Sequence, residues 1–307
     1  MKNTKTTWVM AGLAMTLGIF WGPPLQASEG EDLLKKMQSA VHALSYSGRL
    51  VFSRGNELSE FQIEHHPDRN QGGETVIKLD QSGNDNDHAP QQFSLINSSS
   101  LRLPAQQAYS IDIGGDAWVA DLPCKVVVIR PKDKMRYLHR YCIHPDNGML
   151  LKYSVMNREQ QLLEQFMFTR LQIGYSGTGP PDLASVQQGL LAAAPAAEQP
   201  AADMEVEMLG LDHWNFDNLP TGFRVSNVKN VPGKQDVHQV ILSDGLTFVS
   251  VFIEPGQNAG DAERQLPASG ATNILTHKIA NYIITLVGEV PQETLRTIQN
   301  GLRYVGP

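Results

Sequence analysis

The sequence predicts an α+β protein, mostly antiparallel β, built as a large sheet domain with one helix followed by a smaller sheet domain with one helix. Three observations carry this expectation. Alternating apolar and polar runs bounded by tight turns fill both halves of the 307 residues. Only two segments carry a helical period. Between the halves, residues 190–203 (LLAAAPAAEQPAAD) hold two prolines, no aromatic residue and no alternation. That stretch reads as a linker, because a helix through its alanines would be broken at Pro195 and Pro200. The expected division is therefore 28–189, a semi-extended tether at 190–203 that lets the domains change their relative angle, and 204–307.

Residues 1–27 have the form of a secretory signal. Lys2 and Lys5 precede an uncharged run from Thr6 to Trp21, and Ala27 suits cleavage before Ser28. Gly12, Gly18 and Gly22 interrupt the apolar run, which disfavours the alternative of an uncleaved anchor. A formal charge of -7 with 41% hydrophobic residues suits a globular protein and provides no basic patch for nucleic acid. A bacterial signal would deliver the chain to the periplasm, where cysteines pair.

In the first domain, Ser28-Glu29-Gly30-Glu31 has capping-box spacing, and Leu33, Leu34, Met37, Val41 and Leu44 then recur on one helical face. Tyr46–Ser53 and Glu57–Glu64 alternate around the turn Arg54-Gly55-Asn56 and predict a hairpin. Thr75–Leu79 and Gln92–Ile96 are expected as short strands, with a mobile polar insert at 81–91. Four further strands, 124–130, 135–143, 149–156 and 162–173, follow one another through tight turns as a meander. A curved sheet around one helix leaves a concave apolar face. Leu34, Met37, Val41, Phe52 and Phe61 are the candidate lining of an acyl-chain groove, and a closed core is the alternative.

The two cysteines fall on neighbouring strands. A hairpin centred on Asp133 sets Cys124 and Cys142 opposite each other, within reach of a disulfide; the alternative is two buried thiols. The same register opposes Arg130 and Arg136, an unfavourable pairing that points to a slip.

In the second domain, Val237–Leu242 and Leu246–Glu254 flank the turn Ser243-Asp244-Gly245. Ala271–Ile279 and Tyr282–Val287 form another hairpin, and Pro291 opens a helix with Leu295, Ile298 and Leu302 on one face. Trp214 and Phe223 are either core residues or aromatic anchors for a partner. Phe248, Val251 and Phe252 present the same choice. Both faces of that strand are apolar, so a partner is expected to cover one of them.

No ordered catalytic constellation is present. The chain lacks G-x-S-x-G, a Gly-rich phosphate loop and H-E-x-x-H. His65, His66, Asp68, Asp85, Asp87 and His88 match no ordered metal spacing and read as a solvated loop. His139 and His144 are explained by strand and turn placement, and Ser243 by its turn. No cofactor, metal or catalytic activity is expected.

The residues resemble one known family, the RseB/MucB family of periplasmic negative regulators of the envelope-stress (sigma-E) sigma factor. The resemblance rests on Trp214 with residues 219–223 (LPTGF), 242–251 (LSDGLTFVSV) and 284–291 (ITLVGEVP), and on Asp146–Leu151 and Leu163–Phe166 in the first domain. It implies an N-terminal domain similar to lipoprotein carriers such as LolA, an unclosed β-barrel around helical material. It also implies a C-terminal domain that grips the periplasmic part of a membrane anti-sigma factor and shields it from proteolysis. Release on binding lipoprotein or lipopolysaccharide, and a homodimer, belong to the same expectation. Residues 64–118 look shorter and more polar than the family pattern, which bears on the barrel strands there. A lipid or lipoprotein carrier is the second reading; a periplasmic hydrolase is disfavoured by the missing nucleophile and base.

Overall fold

The computed structural model describes residues 29–67, 73–79, 95, 107–174, 213–231, 233–256 and 264–306. The signal segment 1–27, the insert 81–91 and the linker 190–203 lie outside these residues.

Helix α1 (Glu29–Ala43) buries Leu33, Leu34, Met37, Ala40 and Val41 on the stripe that the periodicity predicts. Eight antiparallel strands follow: β1 (Tyr46–Arg54), β2 (Glu57–His65), β3 (Glu74–Lys78), β4 (Tyr109–Val119), β5 (Leu122–Pro131), β6 (Leu138–Ile143), β7 (Leu150–Met156) and β8 (Leu162–Ile173). Their order in the sheet is β3-β2-β1-β8-β7-β6-β5-β4, so the first hairpin joins the far end of the meander and the sheet is left unclosed. The helix lies against β4, β5 and β6. One apolar cluster unites the helix with the inner faces of the strands, including Leu50, Ile63, Val127, Ile129, Tyr141, Phe166 and Phe168. Each such fully buried side chain contributes about 1.5–3 kcal/mol relative to exposure.

The expected β strands at 46–53, 57–64, 149–156 and 162–173 are observed to within a residue or two. Strand β4 was not anticipated. Its aspartates and its Gly114-Gly115 pair interrupt the alternation, and the register shifts at that point, between Ile113 and Gly115. Within 92–96 only Leu95 is described, and it is helical and fully buried, not extended.

The cysteine hairpin pairs with a different register from the one centred on Asp133. Lys125 faces Ile143 and Val126 faces Cys142, so Cys124 and Cys142 are diagonal neighbours. They form the disulfide, with Cα atoms 5.4 Å apart. The slip removes Arg136 from the ladder altogether and places it in the connection between β5 and β6, which resolves the Arg130–Arg136 conflict.

The second unit contains β9 (Trp214–Phe216), β10 (Arg224–Val231), β11 (Lys234–Ser243), β12 (Phe248–Pro255), β13 (Arg264–Ser269), β14 (Thr272–Ile279), β15 (Tyr282–Gly288), α2 (Gln292–Gly301) and β16 (Leu302–Tyr304). Six strands form a sheet in the order β10-β11-β12-β15-β14-β13, and β9 pairs with β16. Helix α2 packs on β14, β15 and the small pair, burying Leu295 and Ile298. Leu302, expected on the helix, begins β16 instead and is still buried.

A polar-aromatic row crosses the inner face of the large sheet. His139 Nδ1 shares a hydrogen bond with the Tyr153 hydroxyl at 2.8 Å and its ring stacks on Tyr153, which in turn meets Tyr141 and Phe166 at a tilt. Burial pushes the His139 pKa down from its ordinary 6.5 to about 4. Two measurements test these features. Replacing Cys124 and Cys142 by serine is expected to lower stability by about 2–4 kcal/mol in urea unfolding. The unfolded chain takes up the His139 proton at higher pH than the folded one. Stability is therefore full above about 6.5 and falls as the pH drops toward about 4, by about 3 kcal/mol from this group. In His139→Gln that contribution should be missing from the pH profile, leaving the smaller effect of the other histidines whose pKa burial lowers.

Candidate functional site

The two sheets meet along one junction, and its chemistry centres on Arg136. The β5–β6 connection carries this residue out of the large sheet, and its side chain is fully inaccessible, as is that of Asp244 in the β11–β12 turn. Arg136 Nε donates to Asp244 Oδ2 at 2.5 Å, Nη1 donates to Asp133, and Nη2 donates to the Thr221 carbonyl. The guanidinium lies between two rings, 5.3 Å from the centre of Tyr109 and 5.0 Å from that of Phe223. Burial works against its charge, but the Asp244 bond, with Tyr109, the Asp244 charge and the Asp133 bond, together outweigh that cost and hold its pKa above the ordinary value.

Asp244 uses both oxygens. Oδ2 also accepts the Tyr109 hydroxyl at 2.8 Å. Oδ1 accepts the backbone N–H groups of Leu246 and Thr247 at 3.0 and 2.9 Å and the Thr247 hydroxyl at 3.2 Å. The turn is thereby fastened from within, and its Leu246 packs against the core of the large sheet. Burial, reinforced by the Asp244 charge, raises the Tyr109 pKa, so its hydroxyl stays a donor.

Further bonds run beside this pair. Thr294 on α2 donates to the Met135 carbonyl at 2.6 Å, and Asn273 donates to the Tyr137 hydroxyl at 3.0 Å and the Val290 carbonyl at 2.9 Å. Glu164 on β8 accepts the Ala271 N–H at 2.9 Å and pairs with Arg54 at 3.1 Å. Gly270 turns the β13–β14 hairpin at φ +60, and a Cβ there would stand 2.5 Å from both Arg54 and Glu164, so only glycine allows this approach. Glu289, half-buried nearby, has its pKa raised by burial and by Glu164, with Arg54 opposing.

The residues singled out from sequence separate into two groups. Trp214, Phe223 and Val251 are buried in the core of the small unit. Phe252 is half-buried, while Phe248 is 54% exposed and lies one residue beyond the Asp244–Thr247 turn. In the large unit, Leu34, Met37, Val41 and Phe61 are buried in the apolar core and Phe52 lies half-buried at its margin. His65 bonds the Leu44 carbonyl through Nδ1 and stacks on Tyr46, which makes it structural. Asp68, Asp85, Asp87 and His88 lie outside the described residues, and no metal-holding group occurs among the described ones. Among them, too, no helix is long and apolar enough to cross a membrane.

Arg136, Tyr109, Tyr137, Asn273 and the binding role of Asp244 escaped the sequence reading, because their partners across the junction lie 85 to 136 residues away. The one signal was the misfit of Arg130 against Arg136. In space, the segments 219–223, 242–251, 284–291 and 163–166 converge on this junction through Thr221 and Phe223, Asp244 and Leu246, Val290, and Glu164.

Comparison with known proteins agrees. The MucB/RseB N-terminal domain matches residues 29–86 and 83–194, and the MucB/RseB C-terminal domain matches 209–303. The sigma factor AlgU regulatory protein MucB of Pseudomonas aeruginosa is 27% identical, covering 97% of this chain and 98% of that protein. The sigma-E factor regulatory protein RseB of Escherichia coli K12 is 25% identical over 83% of this chain and 74% of that protein. The crystal structure of MucB in complex with MucA(peri) has a TM-score of 0.64 at 24% identity, covering 91% of this chain and 100% of that one. With both domain descriptions matched in order across its length, this chain belongs to the MucB/RseB family.

Proposed function

We propose that this chain is a periplasmic regulator that binds the periplasmic part of a membrane anti-sigma factor, shields it from regulated proteolysis and so represses the envelope-stress response. The observation that carries this reading is the match of both family domains along the chain, alongside a shared fold with MucB bound to MucA(peri). On this reading residues 1–27 are a cleaved export signal and residues 190–203 are the tether between a lipid-sensing domain and an anti-sigma-binding domain.

The chemistry suits binding better than bond-making. The polar groups of the junction are consumed by one another: Asp244 accepts five bonds and Arg136 gives three. Ser243, the serine beside them, bonds the Thr247 carbonyl at 2.9 Å and accepts the Gly245 N–H. Phe248 offers a large apolar surface at the margin of the junction, the kind of anchor that dominates interface energies. Lipoprotein or lipopolysaccharide acyl chains would release the partner only by binding the open and closed arrangements with different affinity. Access to the large core then requires its packing to part, because Leu34, Met37 and Val41 are fully enclosed as it stands. The same packing disfavours a constitutive carrier.

Phe248→Asp is expected to weaken capture of the anti-sigma periplasmic fragment by about ten- to thirtyfold, with both domains folded. Titration calorimetry, with circular dichroism as the folding control, reads this. Unchanged affinity would remove Phe248 from the contact surface.

A further inference from the structure

On the proposed function, Phe248 presents its anchor to the partner from the first residue after the turn that docks on the large sheet, so the presentation of that anchor depends on the relative placement of the two domains. We infer that Arg136 is the positioning residue that locks the two domains into the arrangement competent to hold the partner. This rests on the reading of the chain as an anti-sigma-binding regulator.

The geometry of the bonds carries the inference. The planar guanidinium spreads its N–H groups over three separate segments, Asp133 in its own loop, the Thr221 carbonyl before β10, and Asp244 between β11 and β12. Two of these belong to the other domain and lie in different parts of its chain. A rigid fork satisfied at several points fixes angle as well as distance, which apolar contact alone does not. The Tyr109 and Phe223 rings, one from each domain, close over the fork. Asp244 answers by gripping two residues of the large domain, Arg136 and Tyr109, with the same oxygen.

A buried pair of this kind adds little net stability compared with an apolar replacement. Its consequence is placement. The oxygen of Asp244 not used for the lock shapes the turn that seats Leu246 on the large core and launches β12 at Phe248. Closing the lock therefore sets where the exposed Phe248 ring stands relative to the large sheet. A chain with the lock open must close before it presents Phe248 in the binding arrangement, and its apparent affinity is the intrinsic affinity scaled by the fraction that is closed.

Two variants separate lock from fold. Asp244→Asn keeps the Oδ1 acceptor for Leu246 and Thr247 but turns an amide toward the Tyr109 hydroxyl and Arg136 Nε. Arg136→Met keeps length and loses all three bonds. Both cysteines of the chain are in the disulfide, so spin labels can be placed through Leu58→Cys and Val305→Cys, two exposed sites on opposite domains. The labelled full-length mature chain should give one narrow distance distribution. Each variant should broaden it, with circular dichroism retained, and should bind the anti-sigma periplasmic fragment of the same organism at least about tenfold more weakly. Saturating fragment should narrow the distribution again, which a merely damaged surface would not do.

A narrow distribution in both variants overturns the inference, as does a broadened one with unchanged affinity. Global unfolding of both variants also overturns it, since Arg136 would then be a stability residue. Failure of the unsubstituted chain to bind the fragment overturns the functional reading instead, and the distance distributions then judge the lock by themselves.

Discussion

The ion pair of Arg136 with Asp244 governs the shape of this molecule. Two charges with no solvent access persist only when each is surrounded by compensating groups, and here the compensation is drawn from both domains. Tyr109 and Asp133 come from one side; Thr221, Phe223 and the Asp244 turn come from the other. Removing either charge would leave the other buried without its nearest counter-charge and loosen the placement of the two domains.

The rest of the fold serves to bring these groups to one place. Helix α1 packs on β4, β5 and β6 and shares one apolar core with the large sheet, which holds the two strands that carry the β5–β6 connection. The disulfide ties the opposite end of the same two strands. In the small domain, the β11–β12 turn and the β13–β14 turn both face the large sheet, one through Asp244 and Leu246, the other through Gly270 and Ala271. The proposed binding role needs such a surface held steady. It also needs a way to yield, and a small set of directional bonds provides a discrete one.

Much of the architecture was legible because it depends on local pattern. The α1 stripe, the first hairpin, the strands at 149–156 and 162–173, and the hairpin around Ala280 follow from periodicity and turn residues. Strand β4 was not legible, because Gly114-Gly115 and the aspartates erase its alternation and only pairing with β5 makes it a strand. The cysteine hairpin was legible as a pair but not in register, since a longer connection allowed a two-residue slip that local pattern does not forbid. The choice between core and surface for Trp214, Phe223, Val251 and Phe248 was open in the sequence for a related reason. Strand parity says that two residues share a face, and not which face is covered.

What the sequence by itself determined is the inventory: two β-rich units, their helices, a pair of cysteines within bridging reach and the family to which the chain belongs. These follow from periodicity, turn chemistry and ordered motifs, all of which act within a few residues. What only the tertiary structure decided is that the two units form one assembly clasped at Arg136. That outcome depends on a loop and a turn 108 residues apart meeting in a space that excludes water. Desolvation and long-range pairing arise from the completed packing, and no stretch of chain carries them alone.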